Sequence, residues 1–347
     1  MEKYYQEILL NKPLVSVIIL NWNGKNFLKD CFSSLKNQTY PKLEIILVDN
    51  GSTDDSIEFV TKNFKEVKII ENKKNLGFSA GNNKGILSGK GKYFFILNND
   101  TKVDKYCIES LIESIEKDNK IGMSAPKILS LRNPKLIDSV GLNILSDGMA
   151  RGRARMEIDK GQYNQIEEIL LPSGCAALYR KKMLDEIGLF DEDFFAYCED
   201  VDLGLRGRWA GWKAILVPSA IVYHYYSGTT KDYSDFKVFL VERNHFWVVL
   251  KNFPLKLILL LPFFTMKRYL FLIYGTLTKQ GPVSKFKSSK LRLFFILIKA
   301  YASTLKGLPE MIKKRRGIQK NRKLTNKEIY NLLKKHALEI SEITLKN

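Results

Sequence analysis

Tyr93-Phe94-Phe95-Ile96-Leu97-Asn98-Asn99-Asp100-Thr101 decides how the rest of the chain is read. Five apolar residues in a row, mostly aromatic or β-branched, mark a short strand buried on both faces. The run then stops in two amides and a carboxylate, and nothing apolar follows until Val103. Open α/β sheets place their ligands at the carboxyl ends of such strands. A carboxylate there supplies the hard oxygen that Mg²⁺ or Mn²⁺ takes when it bridges to a diphosphate. The plainer reading is a polar turn in which Asp100 caps the next helix.

The segments upstream repeat the pattern. LVSVIIL (residues 14–20) reads as a first buried strand, ended by Asn21-Trp22-Asn23-Gly24. A helix is expected over 25–37, with Phe27, Leu28, Cys31, Phe32 and Leu35 on one apolar face. EIILV (44–48) is a second strand, followed by Asp49-Asn50-Gly51-Ser52-Thr53-Asp54. Asp54 is placed to cap a helix near 55–63. VKII (67–70) is a third strand. Then come NLGFSAGNN (75–83), a helix and the opening strand. This alternation predicts a Rossmann-like, mostly parallel sheet flanked by helices. Asp49 and Asp100 then end two strands at one sheet edge. Asp49 is read as an acceptor for a pyrimidine N–H, against a turn-forming role before Gly51.

Composition narrows the class. The chain has 347 residues, and its four scattered cysteines, Cys31, Cys107, Cys175 and Cys198, form no C-x-x-C pair. That fits a reducing compartment and argues against a zinc module. The first residues carry no apolar core of signal-peptide length. Of the formal +19 charge, residues 241–347 hold 23 Lys and Arg against 5 Asp and Glu. The body is therefore nearly neutral and the tail is basic, which points to a polyanionic partner surface for the tail.

With these pieces in order, the sequence resembles the family 2 glycosyltransferases of GT-A fold, closest to a rhamnosyltransferase-like branch. The resemblance rests on VSVIILNWNG (15–24), SLKNQTYPKLEIILVDNGSTD (34–54), NLGFSAGNNKG (75–85) and LNND (97–100), and covers roughly 14–250. It implies a donor-binding half (14–105) and an acceptor half (106–245), followed by a basic helical extension (246–347). It implies donor contacts from Leu20, Asn21, Trp22, Asn23, Asp49, Asn50, Asn75, Gly77, Phe78, Asn82, Asn83, Asn98 and Asn99. The wider family's D-x-D motif stands here as Asn98-Asn99-Asp100. Asp100 is then the one carboxylate left for Mg²⁺ or Mn²⁺, with His224 where the family carries a metal- or diphosphate-contacting histidine.

Downstream, residues 121–126 look like another strand. Arg151, Arg153 and Arg155 alternate, as a solvated strand or a mobile loop would. Residues 171–180 form a small-residue strand leading to a helix near 181–187. Six acids then lie within 191–202 among aromatics, Glu199-Asp200 opening a helix. An inverting transfer needs a carboxylate opposite the leaving diphosphate to take the acceptor's proton. By resemblance that base is Asp200, with Glu199 positioning the acceptor. The competing reading makes these acids helix N-terminal charges favoured by the macrodipole. Residues 212–218 read as a late strand, with 219–224 following it.

In the tail, apolar runs are broken by Lys256 and Lys267-Arg268, and 255–277 falls short of an uninterrupted span. Amphipathic helices lying on an anionic membrane are expected, Lys and Arg at the headgroups. The resulting expectation is an inverting, metal-dependent transferase at the inner face of the cell membrane. It would use a dTDP- or UDP-sugar, with rhamnose as the donor guess, and a lipid-linked or polysaccharide acceptor. The alternative is a non-catalytic nucleotide sensor or nucleic-acid binder using the basic tail. No nucleic-acid motif is present, and the tail aromatics sit inside apolar runs.

Overall fold

A computed structural model describes residues 12–225, 234–278, 280 and 289–345; the leader reading of the first residues lies outside them. β1 (Val15–Asn21) buries every residue except Leu20, which is half-buried. α1 (Lys25–Lys36) turns Leu28, Cys31, Phe32 and Leu35 inward at helical spacing, with Phe27 half-buried at the rim. β2 (Leu43–Asp49), α2 (Ser56–Asn63), β3 (Lys68–Glu71), α3 (Gly77–Ser88) and β4 (Tyr93–Asn98) complete the alternation. Tyr93 through Leu97 are all buried, as the opening stretch predicts. Asp100 does not cap a helix: β5 (Thr101–Val103) follows it.

α4 (Cys107–Ile115), β6 (Ile121–Ser130), β7 (Ile137–Ser139), β8 (Leu142–Ile144), β9 (Ala150–Gly152) and β10 (Glu167–Ile169) come next. β11 (Ala176–Arg180), α5 (Lys181–Ile187), α6 (Glu199–Trp209) and β12 (Lys213–His224) close the body. The main sheet runs β10-β12-β6-β11-β4-β1-β2-β3, with β5 on β12 and β7 on β6. β1 to β4 are mutually parallel, and β6 and β12 point the same way; β10 and β11 run against them. Alternate side chains feed two cores. Val17, Ile19 and Phe95 face one layer of helices, and Ile18, Phe94 and Ile96 the other.

Three local expectations change. Residues 213–224 are one strand, bulged between Val217 and Ile221 against β6. Asp54 does not cap α2 alone. Its Oδ2 accepts from the Lys25 N–H at the start of α1 (2.9 Å) and its Oδ1 from Ser56, so one carboxylate serves two helix starts. The Arg151–Arg155 alternation stops at Gly152, where β9 ends. Arg153 pairs with Glu167 at 2.8 Å and Arg155 approaches Asp138 at 3.9 Å, so this is no solvated basic face.

The boundary expected at 245/246 falls inside α7 (Asp235–Asn252). α8 (Leu255–Leu259), α9 (Leu261–Leu277), α10 (Lys290–Lys320), α11 (Asn326–Lys335) and α12 (Ile340–Thr344) follow. A third core joins this extension to the body: Leu171, Phe194 and Trp209 pack with Trp247, Met311 and Leu333. A buried ion network pins the same contact. Arg268 of α9 donates to Asp147 of the body at 2.6 Å and to both oxygens of Glu242 on α7 at 2.9 and 3.0 Å. Arg268→Met leaves two buried carboxylates without their cation and is expected to cost about 3–5 kcal/mol. Urea unfolding reads this directly; a midpoint equal to the parent's would mean that the network adds nothing to stability.

Candidate active site

β1 lies between β2 and β4, so three strand ends meet: Asn21 stands opposite Asp49, and Leu20 opposite Asn98. The Asn21 amide donates to Asp49 Oδ2 at 3.0 Å and to Ser52 Oγ at 3.1 Å. Its carbonyl oxygen accepts from Asn99 Nδ2 at 2.7 Å. Asp49 Oδ1 accepts from the Ser52 N–H at 2.7 Å. Asp49 is fully buried, and the turn-forming role is the one visible in its contacts. Trp22 and Asn23 are the exposed members of this edge, and Asn23 Oδ1 holds the Thr53 N–H at 2.7 Å.

The NLGF segment is built around amides. Asn50 Nδ2 donates to the Gly77 carbonyl at 3.0 Å and to Asn75 Oδ1 at 3.2 Å; Asn75 Oδ1 also accepts from the Gly77 N–H. Gly77 has φ +85°, and a Cβ there would lie 2.4 Å from the Phe195 carbonyl oxygen, so only glycine fits. That carbonyl accepts from the Phe78 and Ser79 N–H groups at 2.6 and 3.2 Å. Asn82 donates to the Phe78 carbonyl at 3.0 Å, and its Oδ1 is buried with no partner among the described residues. Asn83 exchanges hydrogen bonds with the Phe190 backbone at 2.9 and 3.0 Å, so it ties α3 to the acid-rich loop.

Beyond β4, Asp100 and His224 meet. His224, the last residue of β12, pairs in register with Thr101 of β5. Its Nε2 lies 3.3 Å from Asp100 Oδ1, and its Nδ1 lies 2.7 Å from Asp138 Oδ2. Burial alone would lower the imidazole pKa, but Cys175, Asp100 and Asp138 outweigh it and hold the ring well above its usual range. Asp138, on β7, has no sequence signal; strand pairing alone brings it here.

The acids of α6 reach the same edge through the turn before β11. Gly174 N–H donates to Asp200 Oδ2 at 2.8 Å, and Val201 N–H to Oδ1 at 2.8 Å. The next residue, Cys175, accepts from the Asn98 N–H at 2.9 Å. One dipeptide therefore joins Asp200 to the end of β4. Before the acids, Phe195, Tyr197 and Cys198 all have φ between +64° and +70°. Such conformations cost roughly 1–3 kcal/mol each. Asn244 of α7 holds them: its Nδ2 donates to the carbonyls of Phe194, Ala196 and Tyr197 at 2.7–3.0 Å. Asn244 belongs to this architecture, and nothing in its surroundings in the sequence marks it, since α7 carries several other polar residues.

The acids divide by environment. Burial would raise Asp202, but Lys251 (2.7 Å) and Arg206 (2.9 Å) outweigh it and hold the carboxyl well below the usual range. Asp202 is a structural ion-pair residue. Asp191 pairs with Lys251 and Lys314. Among the described residues Glu199 and Asp200 have no such cation. Burial, and then the charge of Asp200, push Glu199 well above the carboxylate range, and burial raises Asp200. Glu199 Oε2 has no partner among the described residues.

The fold and site define a GT-A type α/β domain, with acids gathered at the carboxyl edge of its parallel strands. Residues 16–188 match the family model described as glycosyl transferase family 2, and through this domain the chain belongs to that family. Over 195 residues it is 30% identical to an uncharacterized glycosyltransferase of Rickettsia prowazekii, covering 56% of this chain and 58% of that one. It is 40% identical over 114 residues to an uncharacterized glycosyltransferase of Haemophilus influenzae, covering 32% of this chain and 35% of that protein. The chain thus spans well under two thirds of either protein. The N-acetylglucosaminyl-diphospho-decaprenol L-rhamnosyltransferase of Mycobacterium tuberculosis is 24% identical over 264 residues, covering 67% and 86% of the two chains. Among solved structures, GalNAc-T7 with UDP, GalNAc and Mn²⁺ superimposes with a TM-score of 0.57 at 19% identity. That match covers 70% of this chain and 48% of the other, and shows the shared fold.

A pH test follows from Glu199. Its raised folded pKa means that the native state holds a proton the unfolded chain has released, so stability falls as pH rises above the ordinary glutamate range. Glu199→Gln removes this dependence. Between about pH 5 and 8 its urea midpoint should decline less than the parent's. Parallel curves for the two proteins would refute a protonated Glu199.

Proposed function

We propose that the chain is an inverting glycosyltransferase that moves a sugar from a nucleotide diphosphate sugar to a lipid-linked or cell-surface glycan acceptor. The observation that carries this reading is the Gly174-Cys175 junction. It ties Asp200, which has no cation partner among the described residues, to the end of β4, the strand that leads into Asp100, where His224 of β12 also arrives. Asp200 is the base. The acceptor hydroxyl gives it a proton as its oxygen bonds to the anomeric carbon, and the bond from that carbon to the diphosphate oxygen breaks on the opposite face. The nucleoside diphosphate leaves with the electron pair. Glu199, neutral and with a free oxygen, hydrogen-bonds an acceptor hydroxyl and adds no second negative charge beside the base.

Among the described residues no three acid, histidine or cysteine side chains gather as a metal cage. One carboxylate and one imidazole do meet, and Asp138 orients the imidazole as carboxylates orient metal-bound histidines. That donor set fits an ion which takes its remaining ligands from diphosphate and water. Asp100 and His224 would hold Mg²⁺ or Mn²⁺, which when bound offsets the charge of the departing diphosphate.

Trp22, Asn23 and the remaining lone pairs of Asp49 would meet the base and ribose of a dTDP- or UDP-sugar. Leu20, Asn98 and Asn99 would border the sugar phosphate. The rhamnosyl donor and the lipid-linked acceptor draw support from the Mycobacterium protein, whose name carries a diphospho-decaprenol substrate. Among the described residues no helix is long and apolar enough to cross a membrane. The basic extension would instead lie against an anionic inner leaflet, leaving the body in the cytoplasm.

A hydrolysis screen over nucleotide sugars with Mn²⁺ identifies the donor. With that donor, Asp200→Asn is expected to lower transfer by roughly 10²–10⁴-fold while donor binding stays within a few-fold. Transfer at the parent rate would remove Asp200 from the mechanism.

A further inference from the structure

A cleft of about 760 Å³ lies between α7, α9 and α10, and neither Glu199 nor Asp200 lines it. Its volume is within the roughly 300–1,000 Å³ of small-molecule sites. Val238 and Val241 of α7, Leu272 and Ile273 of α9, and Leu293 and Leu297 of α10 form its apolar walls. Its floor is the Glu242–Arg268 ion pair already described, with the Tyr301 hydroxyl donating to Tyr269 at 2.9 Å. Every floor charge is therefore satisfied within the protein.

Three observations identify the occupant. The two helices that flank the cleft expose large apolar residues, Leu270, Tyr274 and Leu277 on α9, Phe294 and Ile298 on α10, and three of these, Leu277, Phe294 and Ile298, also line it. Leu277 alone is 76% exposed, and exposed apolar patches mark interaction surfaces. Lys237 lines the cleft, and Lys267, Arg292 (ion-paired with Asp235) and Lys299 stand on α9 and α10 among the apolar residues, which suits an anionic lipid surface. Finally, α7 is shared between the cleft and the acids. Lys237 lines the cleft, while its ammonium stands 5.4 Å from the centre of the Tyr197 ring, two residues before Glu199. On the same helix Asn244 holds the backbone that leads to Asp200.

We propose that this cleft takes the hydrocarbon chain of a long-chain lipid phosphate, the lipid arm of the acceptor, with Lys237 contacting its phosphate. The proposal rests on the transfer reading above and deepens it. One helix separates chain from base, so a sugar carried on the phosphate is delivered toward Asp200, and the exposed apolar residues keep the cleft's mouth against the bilayer from which the lipid enters.

The test uses the full chain with phosphatidylcholine vesicles that carry equal negative charge as either phosphatidylglycerol or a long-chain polyprenyl phosphate. In flotation, the parent is expected to bind the prenyl phosphate vesicles several-fold more tightly. Leu297→Trp, which fills the cleft, and Leu272→Gln, which makes it polar, should each bring that affinity down to the phosphatidylglycerol level. Melting temperatures check that both variants fold. A diazirine-bearing polyprenyl phosphate gives a readout that needs no variant: in the parent its crosslinks should map to α7, α9 and α10.

Equal binding of both vesicle types would overturn the proposal. So would undiminished selectivity in folded variants, crosslinks elsewhere, or a lipid-free dimer that covers this face. Donor hydrolysis by the parent, measured separately, scores the transfer reading, so the two can fail independently.

Discussion

The Asn21 side chain is the contact on which the site depends. It ends the central strand of the donor half, where two parallel neighbours also terminate. Parallel strand ends leave polar groups pointing into a region sealed by helices, and each must find a partner. One amide satisfies three of them: it donates to Asp49 and Ser52 and accepts from Asn99. The residue next to Asn99 is Asp100, so one uncharged amide on β1 links Asp49 of β2 to the segment after β4 that bears the candidate metal carboxylate. A charged residue at 21 would either repel Asp49 or pair with it, and the opening between β2 and β4 would be lost. The close approach of Gly24 follows from the same contact. A Cβ at Gly24 would lie 2.1 Å from Asn99 Nδ2 and 2.6 Å from Asn21 Oδ1.

A second constraint divides the acids of one helix start. Glu199, Asp200 and Asp202 all occupy the first turn of α6, where the dipole favours them about equally. Cations break the tie. Lys251 from α7 and Arg206 from α6 itself neutralise Asp202, and Asn252 adds a hydrogen bond at 2.8 Å. Among the described residues no cation enters the interactions of Glu199 or Asp200; only backbone N–H groups oppose burial there, and burial outweighs them. Asp202 thus anchors the helix, leaving its neighbours free for chemistry. Lys251 also reaches Asp191, which Lys314 of α10 holds from the other side. The extension therefore supplies the cations that keep the structural acids ionised.

What was legible in the sequence follows this division between local and distant causes. Alternation of buried runs with helical periods gave the order of β1 to β4, because those elements are set by neighbours in the chain. The edge position of Asp49 and Asp100 came from the same rule, and Asp200 and His224 from motif resemblance. Asp138 and Asn244 were not legible. Asp138 is a single acid in a three-residue strand, and it reaches His224 only because β6 pairs with both β7 and β12. Asn244 acts on backbone carbonyls 47–50 residues away. The donor amides were assigned by motif resemblance, and their contacts are mainly with the protein. Asn50, Asn75 and Asn83 spend their hydrogen bonds holding the Gly77 loop and the Phe190 turn. An Asn-rich motif beside a ligand edge can be the frame of the site as well as its surface, and composition does not distinguish the two.

The extension was read as an appendage because its charge differs so sharply from the body's, but charge reports on surface and not on core. Its inward face is apolar and fused to the body through Trp247, Met311 and Leu333, and its deeply buried cations are matched, Arg268 by Asp147 and Glu242 and Lys251 by Asp191 and Asp202. The excess positive charge is left to the outer surface, beside the exposed leucines and aromatics of α9 and α10. Under the membrane reading proposed above, those exposed residues gain a partner that water does not offer them. The combination is the one that a bilayer rewards: hydrocarbon takes the apolar residues while anionic headgroups take the ammonium groups. Because α7 belongs at once to this face and to the support of Asp200, an orientation set by a membrane would be transmitted rigidly to the catalytic edge, with no hinge between them.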